Sequence, residues 1–244
     1  MRQAMLMLVG VVLVWSSGVH GAAALPERSV ADLVQRFIDG DGQVLTSYRA
    51  RRTMTASSRG GKMRASLVAM TSLDPERGFA WQVLDEAGSG LIRGKVLKAA
   101  LAAEAQLAQR GEASRGALTP LNYAFGDDAT DDEGRVTVGI QALRRDTMLL
   151  NGRILLSAVD GDLLRVEGHL VKRPSFWTRK VWVTREYGRV AGVRVPLRMT
   201  SHADVLIAGA SDFEMVYSYE AINGTPVEAA APVETLATHV PDGR

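Results

Sequence analysis

The chain has 244 residues, 46% of them hydrophobic and 23% charged, with a formal net charge of +2 and no cysteine. Lack of cysteine excludes a disulfide framework and thiolate chemistry, so stability has to come from an apolar core. A charge this small does not argue for a nucleic-acid partner, although residues 135–198 carry about 13 basic side chains against about 5 acidic ones.

The first segment reads as an export signal. Arg2 precedes an apolar run over 5–15, and small and polar residues follow over 16–24. A charged region, a hydrophobic core and a small-residue cleavage zone in this order describe a secretory signal peptide, with Ala22 and Ala24 suited to cleavage. The run is shorter than the roughly 20 apolar residues that span a bilayer. We therefore expect residues 1–24 to be removed and a soluble, exported chain to begin near Leu25.

Val30, Leu33, Val34, Phe37 and Ile38 recur at helical spacing, with Ser29 as N-cap and Gly40 as stop. Strand character follows over 44–56, then a Gly60-Gly61 turn, then 62–71 with Met63, Ala65, Leu67 and Ala69 on one face. Asp74-Pro75 turns the chain into Phe79, Trp81 and Val83, three alternating large apolar groups. The period then changes. Residues 92–110 are rich in Ala, Leu and Lys, lack proline, and predict a helix of about five turns that Gly111 ends. Ile92, Val96, Ala100 and Leu107 share its apolar face, and Lys95, Lys98 and Glu104 lie opposite. A looser segment over 112–132 includes Tyr123 and Phe125 and runs into an acidic cluster over 127–133.

From 135 onward the pattern is an antiparallel meander. Strands are expected near 135–143, 147–156, 162–171, 177–187, 192–203 and 209–221, with turns at Asn151-Gly152, Asp160-Gly161, Pro174-Ser175 and Gly192. After Asn223-Gly224 the tail over 225–244 is rich in Pro, Ala and Glu and reads as disordered. The order is helix, three strands, inserted helix, then about six strands. It predicts a mainly β, α+β fold: a strongly curved antiparallel sheet forming a half-open β-barrel with helices on its concave side. One domain over 25–224 holds it all.

Catalytic constellations are missing from the sequence. His169 and His202 fall in predicted strands and His239 in the tail, with no spacing that assembles a metal set. Gly88-Ser89-Gly90 is a turn before the helix and lacks the pattern of a nucleophile elbow. The acidic run lacks calcium-loop spacing, and Asn223-Gly-Thr225 is at most a glycosylation sequon. We expect no enzyme, cofactor or metal.

GHLVKRPSFWTRKVWV, residues 168–183, sets Phe176, Trp177 and Trp182 among Lys172, Arg173, Arg179 and Lys180. Arg179 and Arg185 share parity with Trp177, Val181 and Val183, so this strand has no clean polar face. Two readings stand: a sheet corner where Arg stems cover Trp rings, or a greasy cationic rim suited to an amphiphile with a negative head.

The exported helix-then-sheet order, the helix inserted after three strands and the Lys172–Trp177 corner together resemble the LolA/LolB-like superfamily of bacterial envelope proteins. Its members include lipoprotein carriers and the RseB/MucB-type regulators. The resemblance covers roughly residues 26–222. It implies a periplasmic protein whose unclosed barrel holds acyl chains, and hence roles in lipid binding, transport or outer-membrane lipoprotein sorting. On this basis the expected partner is a lipid or an acylated protein, with peripheral membrane contact. The expected ligand-contacting side chains are Phe79, Trp81, Val96, Ala100, Leu107, Lys172, Arg173, Phe176 and Trp177. The alternative is an envelope module or regulator that docks a protein through a sheet edge or its basic face and carries no lipid.

Overall fold

A computed structural model describes residues 29–40, 43–130, 135–173, 178–206 and 209–228. The expected signal segment 1–24, Phe176, Trp177, the expected turn at Pro174-Ser175, part of the acidic run and most of the tail lie outside the described residues. Among the described residues no helix is long and apolar enough to cross a membrane.

Helix α1 (Val30–Asp39) starts where the Ser29 hydroxyl accepts the Asp32 N–H at 3.2 Å, and ends at Gly40 in the left-handed region, φ 74°. Strands β1 (Tyr48–Ser58), β2 (Met63–Asp74) and β3 (Gly78–Gly88) follow as a meander. The inserted helical segment comprises α2 (Gly90–Ile92), a π-helical stretch (Arg93–Lys98) and α3 (Ala99–Gln109). Then come β4 (Tyr123–Thr130), β5 (Val136–Ala142), β6 (Leu150–Leu156) and β7 (Leu163–Leu170). The chain closes with β8 (Thr178–Val190), β9 (Val193–Val205), β10 (Gly209–Ile222) and the two-residue β11 (Thr225–Pro226).

All strand pairs are antiparallel, in the order β3-β2-β1-β10-β9-β8-β7-β6-β5-β4, with β11 on β10. β3 and β4 are the two ends of this sheet and do not pair, so the sheet curls into a half-open barrel. The chain leaves at one end strand and re-enters at the other. The connecting segment therefore has to cross the concavity, and that crossing puts the inserted helix inside.

Inward-facing side chains alternate along each strand. Under α1 they make one core, in which Leu33 and Phe37 meet Tyr123, Val138, Ile154, Leu156 and Val166. Under the inserted helix they make a second, from Met54, Ala56, Ala65, Leu67, Ala69, Phe79 and Met215. Its sheet alanines are short, which lets the helix settle close to the strands. A third cluster of Ala50, Val193, Val195, Tyr219 and Ile222 joins β1, β9 and β10.

The expected helix face needs correction. Ile92, Val96, Ala100 and Leu107 do not form one buried stripe. The π-helical stretch inserts extra residues into the turn, so Ile92, Leu97 and Leu101 go into the core while Val96 stays 40% exposed. Two further differences concern the sheet. Tyr123–Thr130 is a strand, where the sequence reads as loose, because an irregularity between Phe125 and Asp128 breaks its alternation. Asn151-Gly152 is not a turn but part of β6, where Gly152 pairs in register with Gly168 of β7. The glycines allow the two strands to approach closely where the sheet bends.

Candidate functional site

Between the inserted helix and the sheet lies a cavity of about 680 Å³. Its floor is Ala56 of β1, Ser201 and Ala203 of β9 and Phe213 of β10; Met63, Ile92 and Val205 add apolar walls. Leu91 and Val96 line its helical side and remain 62% and 40% exposed. Arg59 and Lys95, both exposed, stand at the same cavity, as does Thr178 at the start of β8. The π-helical stretch makes this wall: by turning Leu97 inward it leaves Val96 and Lys95 facing the opening.

Deeper in the concavity the lining becomes polar. Arg52 of β1 is 1% exposed. Its Nη1 and Nη2 donate to Glu104 of α3 at 2.5 and 2.8 Å, and Nη2 also donates to the Tyr48 hydroxyl at 2.6 Å. The guanidinium lies 4.7 Å from the Tyr217 ring centre and 5.2 Å from that of Phe79. A buried cation is thus neutralised by the helix and sandwiched by rings. Near the other core, Asp162 accepts from Arg189 Nε at 2.7 Å and Arg194 Nε at 2.5 Å, and Arg194 stacks on Phe37, tying α1 to the β8–β9 hairpin.

The outer face at the same level carries a polar row. His169, Trp182, His202, Asp212, Ser57 and Arg64 are successive register partners from β7 to β2. Most of them border a second, open cleft of about 760 Å³ that Thr55, Ser66, Thr200 and Glu214 keep wet. His202 Nδ1 lies 2.7 Å from Asp212 Oδ1, and this bond raises the imidazole above the usual histidine range, helped by the charges of Asp212 and Asp204. Burial lowers His169 instead, with Lys180 adding to the effect. His202 therefore takes up its proton first as pH falls. Because its folded value is the raised one, the small stabilisation from the Asp212 pair is full below the unfolded-state pKa and fades as pH rises through the folded value. Asp212→Asn should move the His202 titration, followed by NMR, back down toward the ordinary value. An unmoved titration would remove Asp212 as its cause.

The side chains expected to contact ligand do not all meet. Val96 lines the cavity. Phe79 is buried in the core under the helix, with half-buried Trp81 and Ala100 packed against that core. Leu107 is half-buried farther along α3. Lys172 and Arg173 are exposed just beyond β7, on the segment that leads to Thr178, while Phe176 and Trp177 lie outside the described residues. Leu91, Met63 and the β9 residues escaped sequence reasoning. Parity along 193–205 marks Ser201, Ala203 and Val205 as one face, and that is the signal that finds them.

No protein-family model matches this sequence, and no curated protein matches it. Among solved structures, the chain is similar to a LolA superfamily protein from Nitrosomonas europaea, with 12% sequence identity and a TM-score of 0.35, over 77% of this chain and 90% of that one.

Proposed function

We propose that this chain is an exported carrier or sensor that holds acyl chains between its inserted helix and the curved sheet. One observation carries the reading: the cavity of about 680 Å³ whose apolar wall leaves Leu91 and Val96 in water. Its size falls within the roughly 300–1,000 Å³ common for small-molecule sites. A hydrocarbon chain laid on that wall removes apolar surface from water, which stabilises the complex by about 25 cal/mol per Å². Arg59, Lys95, Lys172 and Arg173, all exposed, favour the approach of acidic amphiphiles or an anionic membrane surface.

The test is uptake of a fluorescent fatty acid by delipidated protein. Val96→Asp should weaken it at least tenfold, which corresponds to about 1.4 kcal/mol, because it puts a carboxylate on the apolar wall. Lys98→Ala should change it little, since Lys98 is engaged with Glu86 at 2.8 Å. Equal effects of the two substitutions would overturn the assignment of this wall. No uptake by the unmodified protein would overturn the acyl-chain reading and leave a protein-docking module.

A further inference from the structure

The row of inward side chains just below the cavity floor contains a cation with no described counter-ion. The floor residues Ser201 and Phe213 are register partners of Val183 and Ala56. One inward position farther along the strands, about 7 Å away, the row is Arg185, Met199, Met215 and Met54. The Arg185 guanidinium lies within electrostatic reach of Tyr187, Tyr217 and Tyr123. Its Nε is buried and has no hydrogen-bond partner. Among the described residues no carboxylate pairs with Arg185, whereas buried Arg52 has Glu104 and the pair Arg189 and Arg194 has Asp162.

Tyrosines do not supply the missing charge. Burial raises the phenols of Tyr217 and Tyr123 above their usual range, so both are neutral hydrogen-bonding groups at physiological pH. Arg185 is half-buried with its Nε out of water and unbonded, and a partly desolvated cation without a counter-charge costs stability.

We propose that Arg185 is the internal anchor for the carboxylate of a fatty-acid-like amphiphile, bound head inward with its chain running back through the cavity toward Leu91 and Val96. This deepens the acyl-chain reading and rests on it. One guanidinium neutralises one carboxylate, and its planar fork matches the two oxygens. A carboxylate is also a chain terminus and enters end-first, while a phosphodiester is flanked on both sides by bulky groups. Met199, Met215 and Met54 continue the row from Arg185 along the underside of the cavity floor. Methionine is unbranched and repacks readily, so this row yields to a chain where leucine or isoleucine would resist. The Tyr187 phenol, close to the guanidinium, is a donor for the same carboxylate.

The experiment compares palmitate with hexadecanol, which has the same chain length and no charge, by displacement of a neutral fluorescent probe from the delipidated mature protein. The wild type should bind palmitate at least tenfold more tightly, and the preference should survive added salt because a buried pair is weakly screened. Arg185→Met should bind both ligands alike, near the hexadecanol affinity of the wild type. Its ligand-free form should melt no lower than the wild type, since a half-buried charge without a carboxylate partner has gone. Arg185→Lys, which keeps the charge and loses the fork, should retain part of the preference and serves if the methionine variant does not fold. Equal affinity of the wild type for the two ligands, or a preference that persists in Arg185→Met, would overturn the anchor and leave the acyl-chain reading standing. Failure of both ligands to displace the probe would overturn that reading together with the anchor.

Discussion

Replacing Glu104 by Gln should cost the fold more than replacing Arg52 by Met. Arg52 is 1% exposed, and Glu104 supplies its counter-charge through bonds of 2.5 and 2.8 Å. Glu104→Gln keeps the side-chain shape and removes the charge, so a guanidinium stays buried without neutralisation. Breaking a fully buried pair from one side costs about 3–5 kcal/mol. The Glu104 side chain is 42% exposed, so solvent screens part of this and about 2–3 kcal/mol is the better expectation. Arg52→Met instead leaves an apolar chain among Tyr48, Phe79 and Tyr217, rings that already surround that position. This also breaks the pair from one side, but the charge left behind is Glu104, whose side chain is 42% exposed and stays solvated, so the cost is smaller. Thermal melts should show a loss of about 5–10 °C for Glu104→Gln, at about 2–4 °C per kcal/mol for a chain of this size. Equal losses in the two variants would mean that ring packing, and not charge neutralisation, sets the value of Arg52. The same pair fastens α3 to β1, so acyl uptake is expected to change in Glu104→Gln as well.

That pair was invisible in the sequence for a simple reason. Its members are 52 positions apart, on a strand and on a helix that crosses the concavity, and no periodicity connects them. The meander itself was legible, because alternation with period two is a local property. The strands expected near 162–171, 192–203 and 209–221 are those observed at Leu163–Leu170, Val193–Val205 and Gly209–Ile222. His169 and His202 likewise fall in β7 and β9. Arg185 was legible as an exception, since it shares parity with Val181 and Val183, and the structure puts it on their inner face. The cavity wall was not legible. A period of 3.6 groups Val96 with Ile92, whereas the π-helical stretch carries the core position on to Leu97. Nothing in the composition of Arg-Gly-Lys-Val-Leu-Lys announces that extra residue in the turn.

Gly168→Val should be the most damaging single substitution considered, and it tests the glycine pair that replaced the expected Asn151-Gly152 turn. Gly152 and Gly168 are register partners in β6 and β7. A Cβ on Gly152 would sit against the Glu167 carbonyl oxygen and 2.6 Å from the Gly168 Cα. On Gly168 it would meet the Asn151 carbonyl oxygen and come within 2.8 Å of the Gly152 Cα. Every one of these obstacles is backbone, so no side chain can swing aside and the strands themselves have to separate. The pair belongs to the inward row that continues through Val183 and Ser201, so separation would flatten the sheet where it curls around both the α1 core and the cavity. We expect a loss of at least ~3 kcal/mol, at the upper end of what overpacking costs, seen as a drop in the denaturation midpoint or as insoluble protein. Gly94→Ala is the matched control. It lies in the π-helical stretch with nothing within 4 Å of an added Cβ, so it should be neutral or stabilise by about 0.5–1 kcal/mol through the better helix propensity of alanine. A Gly168→Val protein as stable as the Gly94→Ala control would show that β6 and β7 tolerate separation, and that the curl of the sheet does not depend on their close approach.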